Sequence, residues 1–208
     1  MAGITIEKER LLIVEGKDEE LFFEALLNQL GFLNIQILPI GGKTKFRKYL
    51  KSLISRKVDF AKVKRLWITR DADDDFNTAF QSICDTLKFF SLPVPQKPKI
   101  PTEAYPEVNI FIFPDNKSPG MLEDLCLKAL QDNTQDTPIV KCLEDYFCCL
   151  ARRSPEFPNN LSKAKIQAFL AAKEEPGKRL GEAAQAGYLP WDHPAFDEIE
   201  EFLHMLAE

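Results

Sequence analysis

Short apolar runs, each closed by an acidic residue, govern what this chain can fold into. Leu11-Leu12-Ile13-Val14 ends at Glu15, Leu66-Trp67-Ile68-Thr69 leads to Asp71 and Asp73, and Ile110-Phe111-Ile112-Phe113 is followed by Asp115. Wholly apolar runs of this length suit strands covered on both faces. Segments between them carry apolar residues at helical spacing, as in Leu21, Phe22, Ala25, Leu26 and Leu30. A repeated strand-then-helix order calls for right-handed parallel crossovers with helices on both sheet faces. The expected fold class is therefore α/β, a Rossmann-like parallel sheet of about four strands with a C-terminal helical extension.

The pattern predicts strands over 10–14, 35–40, 65–70 and 108–113, and helices over 17–30, 43–56 and 76–90. Pro119-Gly120-Met121 is expected to lead into a further helix through Leu130, followed by helices near 137–153, 162–173, 178–186 and 195–206. The α/β domain is assigned to residues 1–135 and the helical extension packed on it to 136–208. Residues 91–107 contain Pro93, Pro95, Pro98, Pro101 and Pro106, which points to an extended surface excursion, free to move or to meet substrate.

No apolar run approaches the roughly 20 residues that span a bilayer. The start Met1-Ala2-Gly3-Ile4-Thr5-Ile6-Glu7 lacks the basic and apolar parts of a signal peptide. The expectation is a soluble, cytoplasmic protein with no membrane partner. Five cysteines, Cys84, Cys126, Cys142, Cys148 and Cys149, form no C-x-x-C pair and read as reduced, buried thiols. The net charge of −5 hides an asymmetry: residues 43–65 hold ten Lys or Arg against the single acid Asp59. Such a segment favours a polyanionic partner, although a solvated helix face explains the charge alone equally well.

In an open parallel sheet the carboxyl ends of the strands line one crevice, so the acidic clusters converge there. Carboxylates that close repel unless a cation or proton intervenes, and hard oxygen donors suit Mg²⁺ or Mn²⁺. Glu15 precedes Gly16 on a tight strand-to-helix turn, whereas Asp18 and Glu19 also fit an acidic first helical turn. Asp71-Ala72-Asp73-Asp74-Asp75 places four acids in five positions, which disfavours a neutral role; D-x-D spacing alone also occurs in phosphatases and sugar transferases. Gly42-Lys43-Thr44 imitates the end of a P-loop, but Ile37 stands where that motif needs glycine, so ATPase chemistry is discounted. In the third cluster Ser118 and Pro119 read as helix-start residues and Asp124 as an early-helix acid.

The order Glu15-Gly16, Gly41-Gly42, Asp71-x-Asp73 resembles the Toprim domain of type IA topoisomerases, bacterial primases and small nucleases. The later Gly120-Met121-Leu122-Glu123-Asp124-Leu125 stretch is similar to Toprim-like proteins related to the OLD-family nucleases. More closely still, it is similar to a small stand-alone bacterial family of unknown function. The resemblance covers roughly residues 8–170 and implies roles residue by residue. Glu15 would be a general acid/base or metal ligand, and Asp71 and Asp73 would bind Mg²⁺. Glu19 and Glu123 would be further metal-site acids, with Lys163 or Lys165 as the catalytic lysine. This chain has no companion ATPase, strand-passage or zinc module of those families.

The resulting expectation is a Mg²⁺- or Mn²⁺-dependent phosphodiesterase acting on DNA or RNA. Lys43, Lys45, Lys48 and Lys51 on the basic helix would hold the nucleic-acid backbone. Two other classes stay open: a Toprim-like binding or regulatory component without activity of its own, and a metal-dependent enzyme on a small phosphorylated substrate. Homo-oligomerisation or a place in a larger complex also stays open.

Overall fold

The computed structural model describes residues 5–131, 133 and 136–208. Residues Met1 to Ile4, on which the absence of a signal-like start partly rests, and residue 135, where the sequence divides domain from extension, lie outside the described residues.

Four strands, β1 (Arg10–Val14), β2 (Ile35–Pro39), β3 (Arg65–Asp71) and β4 (Glu107–Phe113), pair in parallel in the order β2-β1-β3-β4. Helices α1 (Lys17–Leu30), α2 (Phe46–Ile54), α3 (Lys57–Phe60) and α4 (Phe76–Phe89) lie between the strands. After β4 come α5 (Leu122–Gln131), α6 (Thr137–Arg153), α7 (Leu161–Ala171), α8 (Leu180–Gln185) and α9 (Asp197–Ala207). This is an α/β parallel sheet with helices on both faces and a C-terminal set of helices. The chain leaves β1 for β2 on one side and for β3 on the other, so the strand order reverses between β1 and β3. A crevice opens at the carboxyl ends of strands where such a reversal occurs.

The period-2 alternation of strand side chains sorts the apolar residues into two cores. Leu12, Val14, Trp67, Phe111 and Phe113 face α1, α5 and the C-terminal helices, where Trp67 packs on Phe202 at 4.5 Å between ring centroids. Leu11, Ile13, Leu66, Ile68, Ile110 and Ile112 face α2 and α4. Residues 137–207 thus complete one face of the sheet rather than standing apart from it.

Three local expectations are corrected. The helix expected over 43–56 opens as a 3-10 turn at Lys43–Lys45 and becomes α-helical only from Phe46, after Gly41 and Gly42 with φ of 75° and 116°. α5 starts at Leu122, directly after Pro119-Gly120-Met121, so Ser118 and Pro119 are not its first residues: Gly120 exchanges two backbone hydrogen bonds with Asp73 (2.9 and 2.8 Å) and is held straight against the β3 turn. The proline-rich segment is no free excursion: Lys99 and Thr102 donate backbone N–H groups to Ile110 and Val108 (3.1 and 3.0 Å) along the open edge of β4. Covering an edge strand in this way removes a template for unwanted pairing. Lys99 also bridges to Glu201 of α9 at 2.6 Å.

The cysteines differ too. Cys84 and Cys126 are buried, but Cys142, Cys148 and Cys149 are exposed, and all are free. α6 buries only Val140 and Phe147, a narrow stripe that leaves its thiols outside. Among the described residues no helix is long and apolar enough to cross a membrane.

Candidate active site

Asp71 is the last residue of β3 and shares the parity of Trp67 and Thr69, so it points to the α1 and α5 side of the sheet. Arg70, one position earlier, falls on the α2 and α4 side. Asp71 Oδ1 accepts from the Leu122 N–H at 3.0 Å, at the N-terminus of α5. Burial, and then the negative charges of Glu19, Glu123 and Glu15, push its carboxyl up to about 8. A helix N-terminus favours the anion, but this one is outweighed by desolvation and by three like charges.

Glu19 stands one helical turn after Glu15. Gly16 makes room for it: a Cβ at position 16 would meet Glu19 Oε2 at 3.1 Å. Burial raises the Glu19 carboxyl above the usual range, with Glu15, Glu123 and Asp18 adding to the effect. Glu123, in the first turn of α5, is only 8% exposed, and Lys163 Nζ lies 3.5 Å from its Oε1. The Glu123 charge is the main reason that Lys163 holds its proton more tightly than usual. Glu15 Oε2 is shielded from solvent and has no hydrogen-bond partner. Glu15, Glu19, Asp71, Glu123 and Lys163 therefore share one electrostatic neighbourhood. Lys163, not Lys165, is the α7 lysine that lines the cavity beside Glu123.

The D-x-D pair is divided between two partners. Asp73, at φ 51°, turns toward α2 and places Oδ2 2.6 Å from Lys43 Nζ. That ion pair is the chief cause of the raised Lys43 ammonium pKa, and Glu15 contributes to it. Asp115 is absorbed locally, accepting from Ser118 N–H at 2.8 Å and Ser118 Oγ at 3.0 Å. Glu123 takes the place that sequence spacing suggested for Asp115. Asp75 caps α4 through the Thr78 N–H at 2.6 Å, and Asp124 accepts from Met121 N–H at 2.8 Å. Among the described residues no three acidic, His or Cys side chains already stand as an ion-binding group. Mutual repulsion keeps carboxylates apart when no cation lies between them.

On the other side of the crevice, α2 and α4 border a groove of about 900 Å³ lined by Lys43, Arg47, Arg70, Asn77, Gln81 and Asp85. Arg70 donates to Ser82 Oγ at 3.1 Å, while its Nε is buried without a partner. Arg47 lies over the Phe89 ring at 3.8 Å. Lys45, in the 3-10 turn before α2, and Lys48 and Lys51, on α2, are exposed, while Phe46, Leu50 and Leu53 of α2 are buried. Arg47 and Arg70 were not singled out by sequence. The signal for Arg70 was present in strand parity, which sends neighbouring residues of Thr69-Arg70-Asp71 to opposite faces.

A family model described as a protein of unknown function (DUF3226) matches residues 9–208. The chain belongs to DUF3226. Its fold is similar to the crystal structure of a hypothetical protein from Pyrococcus horikoshii OT3, at 19% identity and a TM-score of 0.60, covering 96% of this chain and 94% of that one. That likeness shows the fold alone and nothing about the chemistry. A search of curated proteins returned no match.

Proposed function

We propose that this DUF3226 chain is a Mg²⁺- or Mn²⁺-dependent phosphodiesterase that cleaves nucleic acid at a Toprim-like carboxylate site. The observation that carries this reading is Asp71, a carboxyl pushed up to about 8 by burial beside three other acids at the strand-order reversal. A strongly perturbed group with specific charged neighbours in a cleft is a candidate functional group. The donor set is hard oxygen, and the unpartnered Glu15 Oε2 suits a cation. Asp71, Glu19 and Glu123 would hold the ion, which would supply Lewis-acid polarisation of a phosphoryl oxygen.

The chain's own groups do the rest. Glu15 takes the proton of the attacking water, Lys163 stabilises charge developing on the phosphate, and the Lys43 ammonium keeps Asp73 turned aside. Arg47, Arg70 and the exposed Lys45, Lys48 and Lys51 hold the nucleic-acid backbone without reading sequence.

One observation favours a second reading, a nucleic-acid-binding component without activity of its own: Lys43 and Lys163 each already neutralise a carboxylate. Purified protein incubated with labelled single- and double-stranded DNA and RNA, in Mg²⁺, Mn²⁺ or EDTA, separates the two. Metal-dependent cleavage supports the phosphodiesterase; tight binding with no cleavage in any metal supports the component.

A further inference from the structure

A cavity of about 330 Å³ opens beside Glu123, walled by the start of α1, by α7 and by the segment leading into α8. Its polar lining is Asp18, Glu123, Lys163, Gln167, Lys178 and Arg179. Its floor is apolar, made by the buried Ile166, Leu170 and Leu180. We propose that this cavity receives a single nucleotide unit, which deepens the phosphodiesterase reading by naming what enters next to the reacting centre.

The chemistry of the lining selects the occupant. Lys178 and Arg179 at the rim suit a phosphate, although Lys178 also meets Glu175 at 2.7 Å. Bare phosphate would leave the apolar floor without a partner, whereas a nucleoside phosphate offers it a sugar and a base face. The floor accepts the apolar faces of sugar and base. Ligand sites span roughly 300–1,000 Å³, so this volume admits one such unit and excludes a duplex. One wall is closely packed: a Cβ at Gly181 would come within 2.5 Å of the Asp18 carbonyl oxygen, so glycine there lets α8 lie directly on α1. A preformed cavity binds with less ordering cost.

Glu123 and Lys163 belong both to this cavity and to the carboxylate centre. A unit seated here therefore lies against the reacting position. Unstacking costs least where a base is already single-stranded, so a strand would enter by its end. The same chemistry is offered by a free nucleotide.

The test titrates adenosine 5′-monophosphate into metal-free protein by calorimetry, with adenosine and inorganic phosphate alongside. Saturable one-site binding of the nucleotide is expected, with either fragment weaker by at least about tenfold. Lys178→Ala/Arg179→Ala, and separately Ala171→Trp, which fills the cavity from an exposed position of its rim, should each weaken it by at least about tenfold with an unchanged fold by circular dichroism. No saturable binding, binding untouched by both variants, or phosphate binding as tightly as the nucleotide overturns the proposal. A second arm compares linear and covalently circular single-stranded oligonucleotides with Mn²⁺. Stepwise loss from one end, with the circle spared, assigns the cavity to a strand terminus. Nucleotide binding with equal cutting of both, or with no cutting, assigns it to a free nucleotide; absence of all cutting counts against the phosphodiesterase and leaves the titration to judge the cavity.

Discussion

Lys43 and Asp73 hold each other across the crevice, Nζ to Oδ2 at 2.6 Å, through a glycine pair and an aspartate of positive φ. Their side chains are 45% and 37% exposed. An ion pair that open contributes about 0–1 kcal/mol. Lys43→Met should therefore lower stability in urea by less than about 1 kcal/mol, and 1 M salt should erase most of the difference. A larger loss would mean that Lys43 is a structural strut rather than a movable cation.

Metal binding should depend on Asp71 and Glu123 more than on Asp73. A ligand that binds only the native state raises its stability by mass action. Wild type should melt higher in millimolar Mn²⁺ than in EDTA, Asp71→Asn/Glu123→Gln should show no such gain, and Asp73→Asn should keep part of it. Equal melting of wild type in both buffers removes the metal from the site.

Without metal, stability should fall with rising pH. The folded Asp71 carboxyl, at about 8, lies above its ordinary value of 3.8, so the native chain binds more protons than the unfolded chain between these values. Its contribution is complete below 3.8 and is lost as pH rises through about 8. In EDTA the melting temperature should decline from pH 5 to about 8.5, and Asp71→Asn should flatten that slope. A steeper slope in the variant would contradict the burial of this acid.

The basic face formed by α2 and the 3-10 turn before it should bind phosphates without sequence preference. Removing one lysine that neutralises a phosphate lowers the slope of log affinity against log salt by about 0.7–0.9. Lys45→Ala/Lys48→Ala should weaken all sequences alike and shrink the slope by roughly twice that amount. Unchanged binding in filter retention would leave these lysines as a solvated face.

Chemistry and binding should separate at Glu15. Its role develops in the transition state, so Glu15→Gln should abolish metal-dependent cleavage while nucleic-acid affinity stays within a few-fold. Near-normal turnover in the variant would falsify the general-base assignment.

Much of this architecture was legible because strand burial writes itself into sequence. Runs such as Leu11 to Val14 and Ile110 to Phe113 have no polar face, and only a sheet covered on both sides has use for them. The helices over 17–30 and 137–153 begin and end where capping and periodicity placed them. The β4 edge was harder: prolines exclude regular structure, but the backbone bonds of Lys99 and Thr102 depend on which strand lies alongside.

For the candidate site, sequence alone determined the chemistry available: acids at strand ends, a glycine pair, and a cluster of lysines. Those follow from local spacing, which is fixed by strand period and helix pitch. Only tertiary structure decided the company each residue keeps. Strand parity sent Asp71 toward α5 and Arg70 toward the α2 groove, Gly120 pinned the turn that swings Asp73 to Lys43, and the docking of α7 chose Lys163 over Lys165. Charges act through space over a few ångströms, and residues separated by tens or by more than a hundred positions reach that distance only when the chain has closed on itself.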